Sequence, residues 1–149
     1  MRVRRGTATD AAALAGLRWR LVTEEGDYRG TDRDDYLAHM ADWLASHRES
    51  HLPFLAEDDD RAVGMAWLMV AERVPTPRGR SRWSGDIQAV YVVPELRDGG
   101  VGGLLMAAVL AEARTLGLEH VTVHSSDRAV PFYQRVGFAH DRTLLYWTP

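Results

Sequence analysis

The run Arg97-Asp98-Gly99-Gly100-Val101-Gly102-Gly103 stands between a β-rich segment and an apolar helical stripe. Such a junction suits an anion. The first-turn N–H groups of a helix are unpaired and carry partial positive charge, and residues without a Cβ let an oxyanion approach the backbone. Arg97 adds a permanent cation. The glycines equally describe a plain strand-to-helix connector. They are not a dinucleotide fingerprint, since GxGxxG counted from Gly100 and Gly102 would need glycine where Leu105 stands. Further along, Ser125-Ser126-Asp127 precedes Phe132-Tyr133-Gln134-Arg135-Val136-Gly137-Phe138, a phenol among aromatic neighbours. Upstream, Asp86, Gln88, Val90 and Val92 alternate along one strand face, so two polar groups lead into an apolar stretch.

Arg97-x-x-Gly100-x-Gly102 after a strand, followed by Phe132-Tyr133-x-x-x-Gly137-Phe138, resembles the GCN5-related N-acetyltransferase (GNAT) superfamily, most densely from Asp86 to Phe138. The resemblance implies acetyl-CoA as co-substrate. Its pyrophosphate would lie on the loop and helix start, Asp98, Gly99, Gly100, Val101, Gly102, Gly103 and Leu104, near Arg97. The pantetheine arm would pair with the backbone of Val90, Tyr91 and Val92, where that strand parts from the fifth. Tyr133 matches the tyrosine near the coenzyme sulfur, and Asp86 the position of a glutamate base in some members. Two departures stand out: Ser126 replaces the Asn of many members, and Asp98 puts a carboxylate inside the phosphate loop.

The chemistry so implied is direct acetyl transfer to a primary amine of a small molecule or peptide. An alkylamine with pKa near 10.4 is only about one part in 10³ neutral at pH 7, so a proton acceptor helps. An ordinary Asp is a weak base and would need burial or a relaying water. Tyr133 could hydrogen-bond the departing thiolate. Each residue also has a plainer reading: Tyr133 as core aromatic, Asp86 as turn or cap, Ser126 as local cap, Arg97 as surface ion pair. The alternative function is an acyl-CoA-binding sensor or partner module without turnover, and a longer acyl donor is a further possibility.

Composition narrows the field. The 149 residues carry a formal charge of −3, against a general polyanion binder, so nucleic acid is not the expected partner. Cys, Lys and Asn are absent and all 18 basic residues are Arg. That removes disulfides, thiol nucleophiles, a covalent acetyl-cysteine, Walker A lysines and Schiff bases. It fits a reducing cytoplasm and suggests a GC-rich bacterial coding background. No HExxH-type spacing marks a metal site. The Arg-rich opening lacks a leader's cleavage pattern, and no apolar run is long enough to span a membrane. Residues 24–60 hold 12 Asp/Glu against three Arg, a local charge of −9. That is either a solvated face or a rim that would favour a cationic amine.

The elements that must position these residues follow from periodicity. One α/β (α+β) domain over 1–149 is expected, a mixed, mostly antiparallel sheet flanked by helices in the order βααβββαβαβ(β). Met1–Gly6 reads as a strand. Asp10–Glu24 and Asp32–His47 read as helices, the second capped by Asp32, with turn formers at Gly26–Thr31 between them. Leu52–Glu57 and Ala62–Val74 read as a hairpin, Pro75–Trp83 as an Arg-rich loop and Asp86–Val93 as the fourth strand. A helix ending at Gly117, a strand over His120–Ser125 and a short helix over Arg128–Val136 follow. Trp19, Trp43, Trp67 and Trp147 read as core or interface anchors. Phe138–Trp147 would supply closing strands, with Leu144–Trp147 as an exposed edge inviting a homodimer.

Overall fold

In the computed structural model, which describes residues 1–26 and 30–149, Asp10 accepts the Thr7 N–H at 2.7 Å and so opens the first helix. The chain runs β1 (Arg2–Arg5), α1 (Ala11–Glu24), α2 (Arg33–His47), β2 (His51–Asp58), β3 (Arg61–Glu72) and β4 (Trp83–Val92). It continues through α3 (Val101–Thr115), β5 (Val121–Val123) and α4 (Val130–Arg135). Asp32 caps α2 as expected, accepting the Asp35 N–H at 3.0 Å. Asp27 and Arg29, part of both the expected turn and the acidic stretch, lie outside the described residues.

The strands form one sheet in the order β1-β2-β3-β4-β5. The first three pairings are antiparallel and β4–β5 is parallel. Leu52 to Ala56 and Val63 to Leu68 are buried without interruption, although neighbouring strand residues point to opposite faces. Both faces are therefore covered. α3 packs on β1 to β4, while α1 packs on β3, β4 and α2. No described helix is long and apolar enough to cross a membrane. The Arg-rich loop is tied down by Glu119, which accepts from Arg82 Nε at 2.6 Å and pairs with Arg73.

The expected closing strands are not there. Among the described residues no strand follows β5, and Leu144, Leu145, Tyr146 and Trp147 are 64–89% exposed. The segment passes beside β5, with the Tyr146 ring 5.2 Å from that of His124, but does not pair with it. Strand propensity reports how side chains suit a pleated surface. Pairing also needs a long partner edge, and β5 offers three residues.

Arg4 ties the start of the chain to the sheet. Its guanidinium donates twice to Asp10, at 2.7 and 2.8 Å, and twice to Glu57, at 2.6 and 3.0 Å, with all three side chains largely shielded from water. These bonds hold the Asp10 carboxyl well below the usual carboxylate range. Arg4→Met should lower the unfolding free energy by about 2 kcal/mol at neutral pH by stranding two carboxylates. With its folded pKa depressed, Asp10 stabilises fully above the unfolded value of about 3.9 and less as pH falls toward the folded one. Urea midpoints of wild type and variant should therefore draw together between pH 7 and pH 3. A constant gap over that range would assign the loss to packing.

Candidate active site

β4 holds the feature on which the site is built. Its pairing with β3 runs Trp67↔Ala89 and then Leu68↔Ile87, so Gln88 is an extra residue, a β-bulge. On the other side β5 matches only Gly85, Asp86 and Ile87. Beyond the bulge β4 has no neighbour there. Val93 N–H donates to Val63 O at 2.9 Å on β3, so by alternation the peptide groups of Val92 and Val90 face the open side. Arg97 Nε confirms that direction by donating to Val92 O at 2.9 Å.

The opened edge leads into a groove of about 560 Å³. Val90, Tyr91 and Val92 form its strand wall. Arg97, Asp98, Gly100, Gly102 and Gly103 form the loop and helix-start wall. Gly100 takes φ +84° immediately before α3, a conformation that a side chain rarely adopts, and a Cβ on Gly102 would sit 3.3 Å from the Phe132 ring. Asp98 also has positive φ, 63°, tolerable for Asp. The loop thus keeps backbone bare at a helix N-terminus, the arrangement that accepts an oxyanion. Its fit to a diphosphate rests on those observations.

The other expected coenzyme contacts are placed differently. Val101 turns its side chain into the core, Leu104 is half exposed, and neither they, Gly99 nor Ser126 lines the groove. Ser126 sits exposed at the head of a 3₁₀ turn, where its carbonyl accepts from Ser125 Oγ at 2.7 Å. Arg97 is occupied: Nη2 pairs with Glu24 at 2.6 Å, and Glu24 also accepts from the Tyr91 hydroxyl. Burial and that carboxylate push the Tyr91 phenol up to about 12. The cations that sequence reasoning passed over are Arg128 and Arg135, both on the groove wall and without hydrogen bond or ion pair among the described residues. Their seven-residue spacing, two helical turns, was the available signal.

Asp86 lies just before the bulge, half-buried, with both carboxylate oxygens engaged. Thr122 Oγ1 of β5 donates to Oδ1 at 2.6 Å, and the Gln88 amide donates to Oδ2. The expected face shared by Asp86, Gln88, Val90 and Val92 does not survive the bulge. Gln88 stays beside Asp86, but Asp86 is opposite Met69 whereas Val90 and Val92 are opposite Ala66 and Gly64, so the extra residue turns the two valines to the other face of the sheet. Thr122 in turn lines a second cavity, about 530 Å³, with Tyr133 of α4. Tyr133 is 9% exposed and meets the rings of Phe132 and Phe138 edge-on at 5.1 and 5.5 Å. Gly137, at φ +105°, ends α4 and folds Phe138 back, with Phe138 N–H donating to Tyr133 O at 3.0 Å. Burial raises the Tyr133 phenol, and its hydroxyl has no hydrogen-bond partner among the described residues. Thr122 is therefore the link between Asp86 and the Tyr133 cavity.

Beside Gln88 and Ala89, a third cavity of about 280 Å³ opens between the sheet and the first two helices, walled by Trp43 and Trp67. The two indoles contact edge to face at 6.0 Å, and Trp43 stacks on His47 at 4.4 Å. Sequence reading took both tryptophans as anchors. Trp67 is buried, but both also present surface to the cavity.

Comparison with known proteins agrees with this geometry. The profile of the acetyltransferase (GNAT) family matches residues 17–138. A glucosamine 6-phosphate N-acetyltransferase from Trypanosoma brucei brucei is 35% identical over 109 residues, 72% of each chain. An aminoalkylphosphonate N-acetyltransferase from Salmonella typhimurium is 28% identical over 139 residues, 91% of this chain and 83% of that one. The crystal structure of a predicted acetyltransferase from Clostridium acetobutylicum, determined with acetyl-CoA, superposes with TM-score 0.80 at 18% identity, covering 99% of this chain and 95% of that one. At that identity the likeness is one of fold.

Proposed function

Since the chain belongs to the acetyltransferase (GNAT) family, we propose that it transfers an acetyl group from acetyl-CoA directly to a primary amine of a small molecule, using Asp86 and Tyr133. The observation that carries this reading is the opening of the sheet at the Gln88 bulge: it sets a bare helix N-terminus and an unpaired strand edge beside a fixed carboxylate and a buried phenol.

The groove at Val90–Val92 and Gly100–Gly103 holds the coenzyme, with Arg128 and Arg135 supplying charge that Arg97 has already given to Glu24. Asp98 opposes that charge, which limits affinity. The acceptor nitrogen attacks the thioester carbonyl, so a C–N bond forms and the C–S bond breaks. Asp86, through water, takes the proton that the nitrogen releases. Tyr133, kept protonated by burial, donates a hydrogen bond to the departing sulfur. A phenol is a weaker acid than a thiol, so stabilising the thiolate, not full proton transfer, is its contribution. The relatives named for glucosamine 6-phosphate and aminoalkylphosphonates support a small-molecule acceptor.

The test is calorimetric titration with acetyl-CoA and with free coenzyme A, for wild type and for the Gly100→Glu/Gly102→Glu variant after its fold is checked by circular dichroism. Micromolar binding by wild type, weakened about 10-fold or more in the folded variant, is the expected result. A screen of amines by thiol release then reads turnover. Failure of wild type to bind either ligand overturns the reading, and binding without turnover on any amine turns it into a sensor module.

A further inference from the structure

The 280 Å³ cavity beside Gln88 has a charge opposite to the segment that builds most of it. Residues 24–60 carry −9, yet no Asp or Glu lines the cavity. Four of the described acids of that segment are held elsewhere: Glu24 by Arg97 and Tyr91, Glu57 by Arg4, Asp58 by the N-terminus, and Asp32 in the α2 cap. The cation that does line the cavity is Arg18 of α1. It is half-buried and makes no hydrogen bond or ion pair among the described residues. Leaving a partly desolvated guanidinium unpaired is costly, and its fork fits two oxygens of a carboxylate or a phosphate. His39 and His51 line the same cavity. Burial and the neighbouring His47 lower His51, so at neutral pH it offers a ring nitrogen and not a second charge.

The remaining walls are flat and apolar. Trp43 and Trp67 present indole surface, a low-entropy platform for a planar or ring-shaped body. Gln88, whose amide holds Asp86, is also part of the lining and brings the cavity up to the carboxylate that would take a proton. The lining therefore offers an anion a partner in Arg18 and brings an amine beside Gln88 toward Asp86.

We infer that this cavity is the acceptor site and takes a small zwitterionic amine, a ring-bearing primary amine that also carries a carboxylate or phosphate, with the oxyanion on Arg18, the ring against the indole surface that Trp43 and Trp67 turn to the cavity, and the nitrogen toward Asp86. The assignment rests on the transfer reading above for its direction, but not for the anion site itself.

Two matched pairs test it: L-tryptophan against tryptamine, and pyridoxamine 5′-phosphate against pyridoxamine. Binding of each is measured by calorimetry to wild type, Arg18→Met and Arg18→Lys, all with acetyl-CoA-independent readout, and turnover is then followed by thiol release. In wild type the anionic member of at least one pair should bind about tenfold or more tighter than its partner. That ratio should collapse toward one in Arg18→Met and be partly restored in Arg18→Lys. The pair that shows the preference distinguishes carboxylate from phosphate. Equal binding within both pairs, no binding of any compound, or a preference that survives Arg18→Met overturns the proposal. A preference governed by Arg18 without acetylation of any compound sustains the anion site and sinks the transfer reading.

Discussion

Asp86→Asn should lower kcat/KM for amine acetylation by about 10²–10³-fold, the range for removing a positioned general base. Asn is nearly isosteric and its amide oxygen can still accept from Thr122 or Gln88, so the side chain should stay in place and thermal stability should change little. The informative readout is the pH profile. An amine with pKa near 10 loses its proton unaided only as pH rises, so a variant without a base should show log(kcat/KM) climbing by about one unit per pH unit up to pH 9. Wild type should rise less steeply, because Asp86 takes up part of that work. Asp86→Glu should recover some of the rate. An unchanged rate and profile in Asp86→Asn would reduce Asp86 to a β4–β5 tie.

Tyr133→Phe should lower kcat by about 10²-fold, the loss seen when one donor to a developing negative charge is removed. Its environment makes the experiment clean. The ring is already packed between Phe132 and Phe138, and the hydroxyl bonds to no described residue, so phenylalanine fills the same space with no protein partner left orphaned. The melting temperature should hold or rise slightly, and the KM for acetyl-CoA should stay within a few fold. A fall in stability with unchanged kcat would show a core aromatic and nothing more.

What was legible in the sequence was what is local in the chain. The Asp32 cap, the Gly117 stop after α3 and the helical stripe of α3 each depend on neighbours a few residues away, and each is found in the structure. The groove residues of the Arg97–Gly103 loop follow for the same reason. What escaped was settled by contacts between distant segments. Glu24 captures Arg97 across 73 positions of chain, and Thr122 reaches Asp86 across 36. The cavity walled by Trp43 and Trp67 draws on α1, α2, β2, β3 and β4, and no spacing rule joins Arg18 to those two indoles. The bulge at Gln88 is equally invisible, because an extra residue in one strand is defined only against its partner. The closing strand failed in the reverse sense: Leu144–Trp147 has the composition of a strand and lacks a long enough edge to pair with.

The gap along β4 has a thermodynamic side. A sheet normally completes its ladder with its own chain, whereas here the N–H groups of Val90 and Val92 and the Val90 carbonyl face an open side where no described strand supplies their hydrogen bonds, Arg97 having taken only the Val92 carbonyl. A ligand whose amide-bearing arm lies there finishes the sheet as a strand from another molecule would. Its binding free energy then adds to the free energy of folding, about 2.7 kcal/mol at a free concentration of a hundred times Kd. In a cell where coenzyme is plentiful, the enzyme's resistance to heat and proteases is set partly by its metabolite supply.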